Sequence, residues 1–241
     1  MTLNSCHEPD ARLFCFPFAG TGPSLFRQWV GAIPSNTELI AVAYPGREAR
    51  AEEPLFHTIE GLVEHIIPNI LPLLDRPFVF FGYSMGALVS FELARMLSET
   101  HGLEPQHLFV SAARAPHLAE LNPIHELGNA DFLRSLIRLN GMPREVLASK
   151  EMIRYAFPIL RADFAACETY RCDLGYLARF PITVFGGERD ARVDKERLEA
   201  WRNFSAVSFR LNMVEGDHFF LRTHRDQLLG SLNRALGGIA Y

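Results

Sequence analysis

FVFFGYSMGALVSFELARML, residues 78–97, decides how the rest of the chain is read. It opens on a continuous apolar run at 78–81, as a strand buried on both faces requires. A Gly-Tyr-Ser-Met-Gly turn follows, and then a helical pattern. In that pattern Glu92, Arg95 and Glu99 fall at i, i+3 and i+7, one polar stripe on an otherwise apolar helix. A G-x-S-x-G string placed strand–turn–helix is a nucleophile elbow, which leaves its serine exposed at the tip of a central strand. Gly82 and Gly86 flank Ser84 where side chains would collide. The string alone is weak, because a serine buried in an ordinary tight turn produces the same five letters. The remainder of the chain has to decide.

With 241 residues, 48% hydrophobic and 22% charged, the composition is that of a globular protein able to bury a large core. One domain spanning 1–241 is expected. Nineteen phenylalanines are generous and point to apolar surface beyond the core, such as a lipid-like pocket or a mobile cover. A net charge of −4 supplies no basic field, so nucleic acid is not an expected partner. The start, MTLNSCHEPDAR, lacks the basic and apolar regions of a secretory signal, and no apolar run is long enough to span a bilayer. Cys6, Cys15, Cys167 and Cys172 form no CxxC pair, which fits a reducing cytoplasm.

Working outward, residues 13–16 (LFCF) read as a strand and run into the Gly- and Pro-rich turn PFAGTGPS. No Gly-Lys-Ser/Thr follows, so this is not a phosphate loop. A short helix is expected over 24–31 and a second strand over 39–44, stopped by Pro45-Gly46. Residues 58–74 form an amphipathic helix: Ile59, Leu62, Val63, Ile66, Ile67 and Ile70 share one face, Thr58 is the N-cap, and Pro68 should kink it or start a new turn. Further strands fall at 108–111, 182–185 and, with more alternation and nearer an edge, 209–214. Strands alternating with helices give a mostly parallel sheet covered on both faces. Between 108–111 and 182–185 the pattern breaks. Residues 115–178 read as wholly helical, with helices at 130–139, about 144–148 and 152–170, whereas one crossover needs only about a dozen residues. This insertion carries exposed-looking apolar residues, among them Phe132, Leu136, Ile137, Met142, Phe157, Ile159, Leu160 and Phe164. It is read as a helical lid over the serine.

Serine at its free pKa is a poor nucleophile and needs a base that is itself oriented by a third group. In an α/β-hydrolase these follow in the order Ser, Asp/Glu, His. The strand at 182–185 runs into GGERDARV, where Glu188, Asp190 and Asp194 compete; Asp190 sits where a short loop past the strand end places it, with Glu188 second. The strand at 209–214 runs into EGDHFF, and His218 lies just past its end; His224 is deeper, and Asp217 is a loop carboxylate. The expected catalytic set is therefore Ser84, Asp190 and His218. Donors to the developing oxyanion are the backbone N–H of Met85 and one from the turn after the first strand. Ala19 is favoured there, with Phe18 as runner-up; Pro17 has no N–H. The chemistry is attack by Ser84 on a carbonyl, with water releasing the acyl group. No metal is expected: His57 and His65 lack an H-E-x-x-H arrangement, and Cys167 and Cys172 lack zinc spacing.

Six blocks extend through nearly the whole chain: CFPFAGTGPSLFRQW at 15–29, YPGREARAEEP at 44–54, DRPFVFFGYSMGALVSFELAR at 75–95, PILRADFAACETY at 158–170, GERD at 187–190 and GDHFF at 216–220. Together they resemble the type II thioesterases, free-standing editing hydrolases of polyketide and non-ribosomal peptide synthesis. The resemblance implies an α/β-hydrolase fold with a helical lid. It implies hydrolysis of stalled or mis-loaded acyl thioesters from the phosphopantetheine arm of acyl or peptidyl carrier protein domains, with no cofactor of its own. A monomer is expected. The resemblance also implies that Ser84, Asp190 and His218 are the triad, as the strand ends suggest. The family commonly reads F-P-x-A-G-G and G-H-S-M-G; here Thr21 replaces the second glycine and Tyr83 the histidine. These changes are expected to touch the oxyanion loop and the pocket wall. Arg47, Arg50 or Arg114 near the mouth could attract an acidic carrier protein. Two other readings compete: an esterase or acyltransferase using the same triad, and a non-catalytic binding protein of hydrolase fold, against which the complete Ser-Asp-His set argues.

Overall fold

The computed structural model describes residues 1–142 and 144–238. Six strands form one sheet: β1 (Ala11–Phe16), β2 (Thr37–Ala41), β3 (Phe78–Tyr83), β4 (His107–Ser111), β5 (Ile182–Gly187) and β6 (Phe209–Val214). Their order is β2-β1-β3-β4-β5-β6 and every neighbouring pair is parallel. The chain leaves β1 for one edge, returns past it, and builds the rest of the sheet on the other side. The direction therefore reverses between β1 and β3, and at such a point the loops beyond the strand ends part to form a crevice. The register pairs Phe16 with Gly82, so the loops after β1 and β3 emerge side by side.

β3 is buried along its whole length, and its residues alternate between two cores. Phe78 and Phe80 face one core with helices α1 (Ile59–Ile70) and α2 (Met85–His101). Val79, Phe81 and Tyr83 face the other, against Phe26, Trp29 and the last helix, α8 (Arg225–Gly237). Each large side chain so buried contributes roughly 1.5–3 kcal/mol, which makes this strand a firm platform for a serine.

The remaining helices are α3 (Asn129–Arg138), α4 (Arg144–Leu147), α5 (Lys150–Thr169), α6 (Lys195–Glu199) and α7 (Phe220–Thr223). Thr58 caps α1 by accepting the Gly61 amide at 3.2 Å. That helix runs through Pro68 and tightens to a 3₁₀ turn only at Leu71–Leu73, so the expected break comes one turn late. The segment expected as a helix at 24–31 is a 3₁₀ helix, Pro23–Trp29, with Pro23 at its first turn.

Between β4 and β5 lie α3, α4 and α5, close to the three helices expected, but the segment is not wholly helical: residues 115–128 and 170–177 are turns and loops. Their apolar residues are not exposed as the sequence suggested. Phe132, Leu136, Met142 and Leu160 join Ile124 in a third, separate core, where the Phe132 ring meets those of Phe157 and Phe164 edge-on at 5.1 and 5.9 Å. Ile137 does remain exposed. The polar stripe expected on α2 also needs correction: Glu92 is buried, bonded to Arg95 and accepting the Tyr170 hydroxyl at 2.7 Å.

Candidate active site

Ser84 joins β3 to α2 with φ 51° and ψ −113°. A non-glycine residue holds such a conformation only where its surroundings over-determine it. Two close approaches do so. A Cβ on Gly86 would lie 2.0 Å from the Phe16 carbonyl oxygen, and one on Gly82 would lie 2.2 Å from the Gly86 carbonyl oxygen. The Ser84 amide donates to the Ser111 carbonyl at 2.7 Å, tying the elbow to the end of β4.

Asp190 and His218 arrive from the loops after β5 and β6. Ser84 Oγ lies 3.1 Å from His218 Nε2, and His218 Nδ1 lies 2.8 Å from Asp190 Oδ2. The other carboxylate oxygen, Oδ1, accepts the amides of Arg192 at 2.8 Å and Val193 at 3.2 Å. Burial alone would raise the Asp190 pKa, but the hydrogen bond and charge attraction from His218 and these two amides outweigh it, and the pKa is lowered. An ionised carboxylate only accepts, so in the neutral imidazole Nδ1 carries the proton and Nε2 presents its lone pair to the serine hydroxyl. The two rejected acids have other places: Asp194 caps α6 by accepting the Arg197 amide at 2.9 Å, and Glu188 is exposed. Asp217 accepts the Phe219 amide at 2.9 Å, and His224 precedes α8.

The turn after β1 sits beside the elbow. Thr21 donates both its amide (3.1 Å) and its hydroxyl (2.7 Å) to the Phe18 carbonyl, and Gly20 adopts φ +76°. That is a type II turn with glycine where φ must be positive. The threonine that departs from the family pattern therefore closes the turn with a second bond. Ala19, Ser84 and Met85 line one small cavity of about 50 Å³. An adjoining cavity of about 30 Å³ is bounded by Phe18, Ala19, Ser84 and His218 on one side and by Leu139, Gly141, Leu160 and Phe164 of the helical insertion on the other. Met85 is the first residue of α2, ahead of the helix ladder, so its amide has no partner within the helix. A larger groove of about 800 Å³ runs between residues 24–29 and 221–227 and includes neither Ser84 nor His218. The hydrogen-bonded chain, not cavity size, locates the chemistry.

Tyr83 does not form the pocket wall. It points into the opposite core, fully buried, donating its hydroxyl to the His218 carbonyl at 2.6 Å and accepting the Leu221 amide at 3.3 Å. Desolvation pushes its pKa well up, so it stays a neutral donor. Nor do the arginines expected at the mouth form a docking field. Arg47 is buried and paired with Asp163. Arg114 is buried beneath the end of α5, donating to the Cys167 carbonyl at 2.9 Å, with its pKa lowered to about 10 by desolvation. Arg50 is partly buried, bonded to Glu53 and to the Ala43 carbonyl. Arg192, which sequence reasoning missed, lines both cavities and lies 5.0 Å over the Phe164 ring. Nothing in its loop context distinguishes it beforehand.

A parallel sheet whose reversal point carries a serine elbow, with an acid and a histidine closing on it from the last two strand ends, defines an α/β-hydrolase. The chain belongs to the thioesterase domain family, which matches residues 11–236. It is 40% identical to gramicidin S biosynthesis protein GrsT of Aneurinibacillus migulanus, over 90% of this chain and 86% of that one. It is 39% identical to linear gramicidin dehydrogenase LgrE of Brevibacillus parabrevis, over 95% and 89%. Among solved structures it is similar to the type II thioesterase BorB from the borrelidin biosynthetic cluster, with a TM-score of 0.89, 32% identity and coverage of 98% and 96%. Among the described residues no helix is long and apolar enough to cross a membrane.

Proposed function

We propose that this thioesterase hydrolyses acyl groups held as thioesters on the phosphopantetheine arm of carrier protein domains, with Ser84 as nucleophile, His218 as general base and acid, and Asp190 as its orienting group. The observation that carries the reading is the unbroken chain Ser84 Oγ–His218–Asp190 at 3.1 and 2.8 Å. His218 Nε2 takes the hydroxyl proton as Oγ bonds to the thioester carbon. The amides of Met85 and Ala19 hold the resulting oxyanion. Collapse breaks the C–S bond, and the departing sulfur takes the proton from His218. Water then gives a proton to His218 as its oxygen bonds to the acyl carbon; collapse breaks the C–Oγ bond, Ser84 Oγ takes the proton back from His218, and the carboxylic acid leaves.

The relatives support the substrate class: they are named from gramicidin S biosynthesis and the borrelidin cluster, and BorB is a type II thioesterase. The hydride transfer implied by the name of LgrE would make no use of the Ser84–His218 pair. The insertion (115–178) supplies Leu139, Leu160 and Phe164 to the cavity wall, which supports its reading as a lid. The protein is read as acting in the cytoplasm as a monomer, without a cofactor.

The test is release of free acid from an acyl carrier protein, with an alcohol or amine acceptor present. Free acid from the parent and none from Ser84→Ala is expected. Turnover unchanged in Ser84→Ala would falsify the assignment, and an ester or amide product would make the protein an acyltransferase.

A further inference from the structure

The oxyanion turn is held from outside by a buried ion pair that joins three distant parts of the chain. Asp163, on α5, is 1% exposed, and its Oδ2 accepts the Gly20 amide at 2.7 Å. Arg47, 5% exposed, comes from the loop after β2 and grips the same carboxylate with both terminal nitrogens, one of them 2.9 Å from Oδ1. Arg47 is fixed in turn: its Nε donates to the Pro45 carbonyl at 3.2 Å, and its guanidinium lies 5.4 Å over the Tyr44 ring. Tyr44, fully buried, donates its hydroxyl to the Pro17 carbonyl at 3.3 Å, just ahead of the turn. One helical turn before Asp163, Leu160 packs so closely on Gly20 that a Cβ there would lie 2.4 Å from its Cδ2.

A buried ion pair is poor evidence for stability, because desolvating two charges offsets most of their attraction. What this pair does supply is direction. A type II turn differs from a type I turn by a flip of its central peptide, here the one joining Ala19 to Gly20. In the observed orientation the Gly20 N–H points at the Asp163 carboxylate. Flipped, the Ala19 carbonyl would face it, oxygen against oxygen. The Ala19 N–H belongs to the preceding peptide, which such a flip leaves in place; what the Gly20 bond and the Leu160 contact fix is the seat of the turn, and with it the position of Ala19 at the cavity beside Ser84.

From this we infer that Asp163, clamped by Arg47, is a positioning residue for the oxyanion site, and that it makes correct seating of α5 a condition for an active oxyanion turn. The inference rests on the reading of Ser84 as nucleophile. Asp163 touches no reacting atom; it acts through Gly20. It also gives the YPGRE and LRADF blocks a shared task, since Arg47 and Asp163 are their charged residues that meet.

The experiment compares two double variants, because Asp163→Ala alone strands a buried guanidinium. Arg47→Met with Asp163→Ala removes both charges and the acceptor. Arg47→Gln with Asp163→Asn removes both charges but leaves an amide oxygen for Gly20. On a small acyl thioester, the first pair is expected to lose about 10- to 100-fold in kcat with KM changed less than about 3-fold, approaching the effect of deleting an oxyanion donor. Its affinity for a trifluoromethyl ketone, which forms a tetrahedral adduct with the serine, should fall in proportion to kcat. The second pair should recover kcat to within about 5-fold of the parent. Melting temperature is read for both. Parental kcat in the first pair, equal losses in two pairs of equal stability, or undiminished ketone binding would each overturn the inference. If the first pair does not fold, a kcat loss in a folded second pair as large as about 10-fold also overturns it. Ser84→Ala run alongside separates the two failures, since its turnover tests the nucleophile and not the clamp.

Discussion

The hydroxyl of Tyr83 reaches across the end of the sheet to the main-chain carbonyl of His218, 2.6 Å away, while the Leu221 amide donates back to it at 3.3 Å. The residue before Ser84 therefore holds the loop that carries His218. Ser84 and His218 approach from strands β3 and β6 that are not neighbours in the sheet, so their 3.1 Å contact depends on loop placement. Tyr83→Phe keeps the ring and its packing against Phe220 but orphans the buried Leu221 amide and the part-buried His218 carbonyl. Losing that anchor is expected to cost about 1–2 kcal/mol of transition-state stabilisation, or ~5- to 30-fold in kcat. Steady-state kinetics on a small acyl thioester will show it as a kcat effect with KM nearly constant. An unchanged kcat would mean that His218 is placed by its side-chain contacts alone.

The elbow glycines make a sharper prediction. Neither Gly82 nor Gly86 has a positive φ; what excludes a side chain is backbone, at 2.2 and 2.0 Å. Backbone cannot swing aside, so Gly86→Ala should displace the oxyanion turn from the elbow and cost more than about 3 kcal/mol, with loss of soluble protein or of activity. Gly102 serves as the contrast. It caps α2 with φ 64° and nothing lies within 4 Å of its Cβ position. There Ala meets only the left-handed penalty of about 1 kcal/mol, read as a shift of a few degrees in melting temperature.

What was legible in the sequence was local. The six strands are apolar runs ended by turns, and the elbow, the acid and the histidine each follow a strand within a few residues. Asp190 could be preferred to Asp194 and Glu188 because its place depends only on the length of one loop. The unread features are pairings across long intervals. Arg47 looks like any surface arginine until Asp163 meets it from 116 residues away, and Tyr83 meets His218 across 135. In the same way, the apolar residues of the insertion read as exposed because their burying partners lie on one another's helices, and a single helix pattern does not say which faces meet. Side-chain direction at a loop or strand end is decided by tertiary contacts, and those leave no periodic trace.

Away from the site, His107 should give the protein an acid-sensitive stability. It stacks on Phe109 at 4.1 Å and bonds to Thr183 Oγ1 at 2.9 Å. Desolvation, with the nearby Arg210 charge, pushes its pKa down to about 4 from an ordinary 6.5. The neutral form is favoured in the fold while the unfolded chain takes up a proton below about 6.5. Stability therefore falls as pH drops from about 6.5 to about 4 and levels off below, by on the order of 2 kcal/mol once solvent screening is discounted. His107→Gln keeps a partner for Thr183 and does not titrate. Its melting temperature should be flatter across that window, with turnover at neutral pH unchanged. A parallel pH dependence in both proteins would assign the acid sensitivity to other groups.

The reading of the insertion as a lid predicts that its side chains set acyl preference. Phe164 lines both cavities at Ser84, and its ring packs on Phe132 and beneath Arg192. Phe164→Ala removes that ring from a space of only about 50 Å³. Part of the new volume should accept substrate: each methylene that gains burial adds ~0.8 kcal/mol, or ~4-fold in kcat/KM. Hexanoyl should therefore gain on acetyl by at least ~10-fold. The same truncation should lower stability by about 2 kcal/mol, since Phe164 is only partly buried. The two effects separate cleanly, because a global loss of stability lowers both substrates alike whereas a changed pocket moves their ratio. Measuring kcat/KM for acetyl and hexanoyl on the same carrier protein gives that ratio directly. A constant ratio with reduced stability would show that the ring braces the helices without shaping the acyl site.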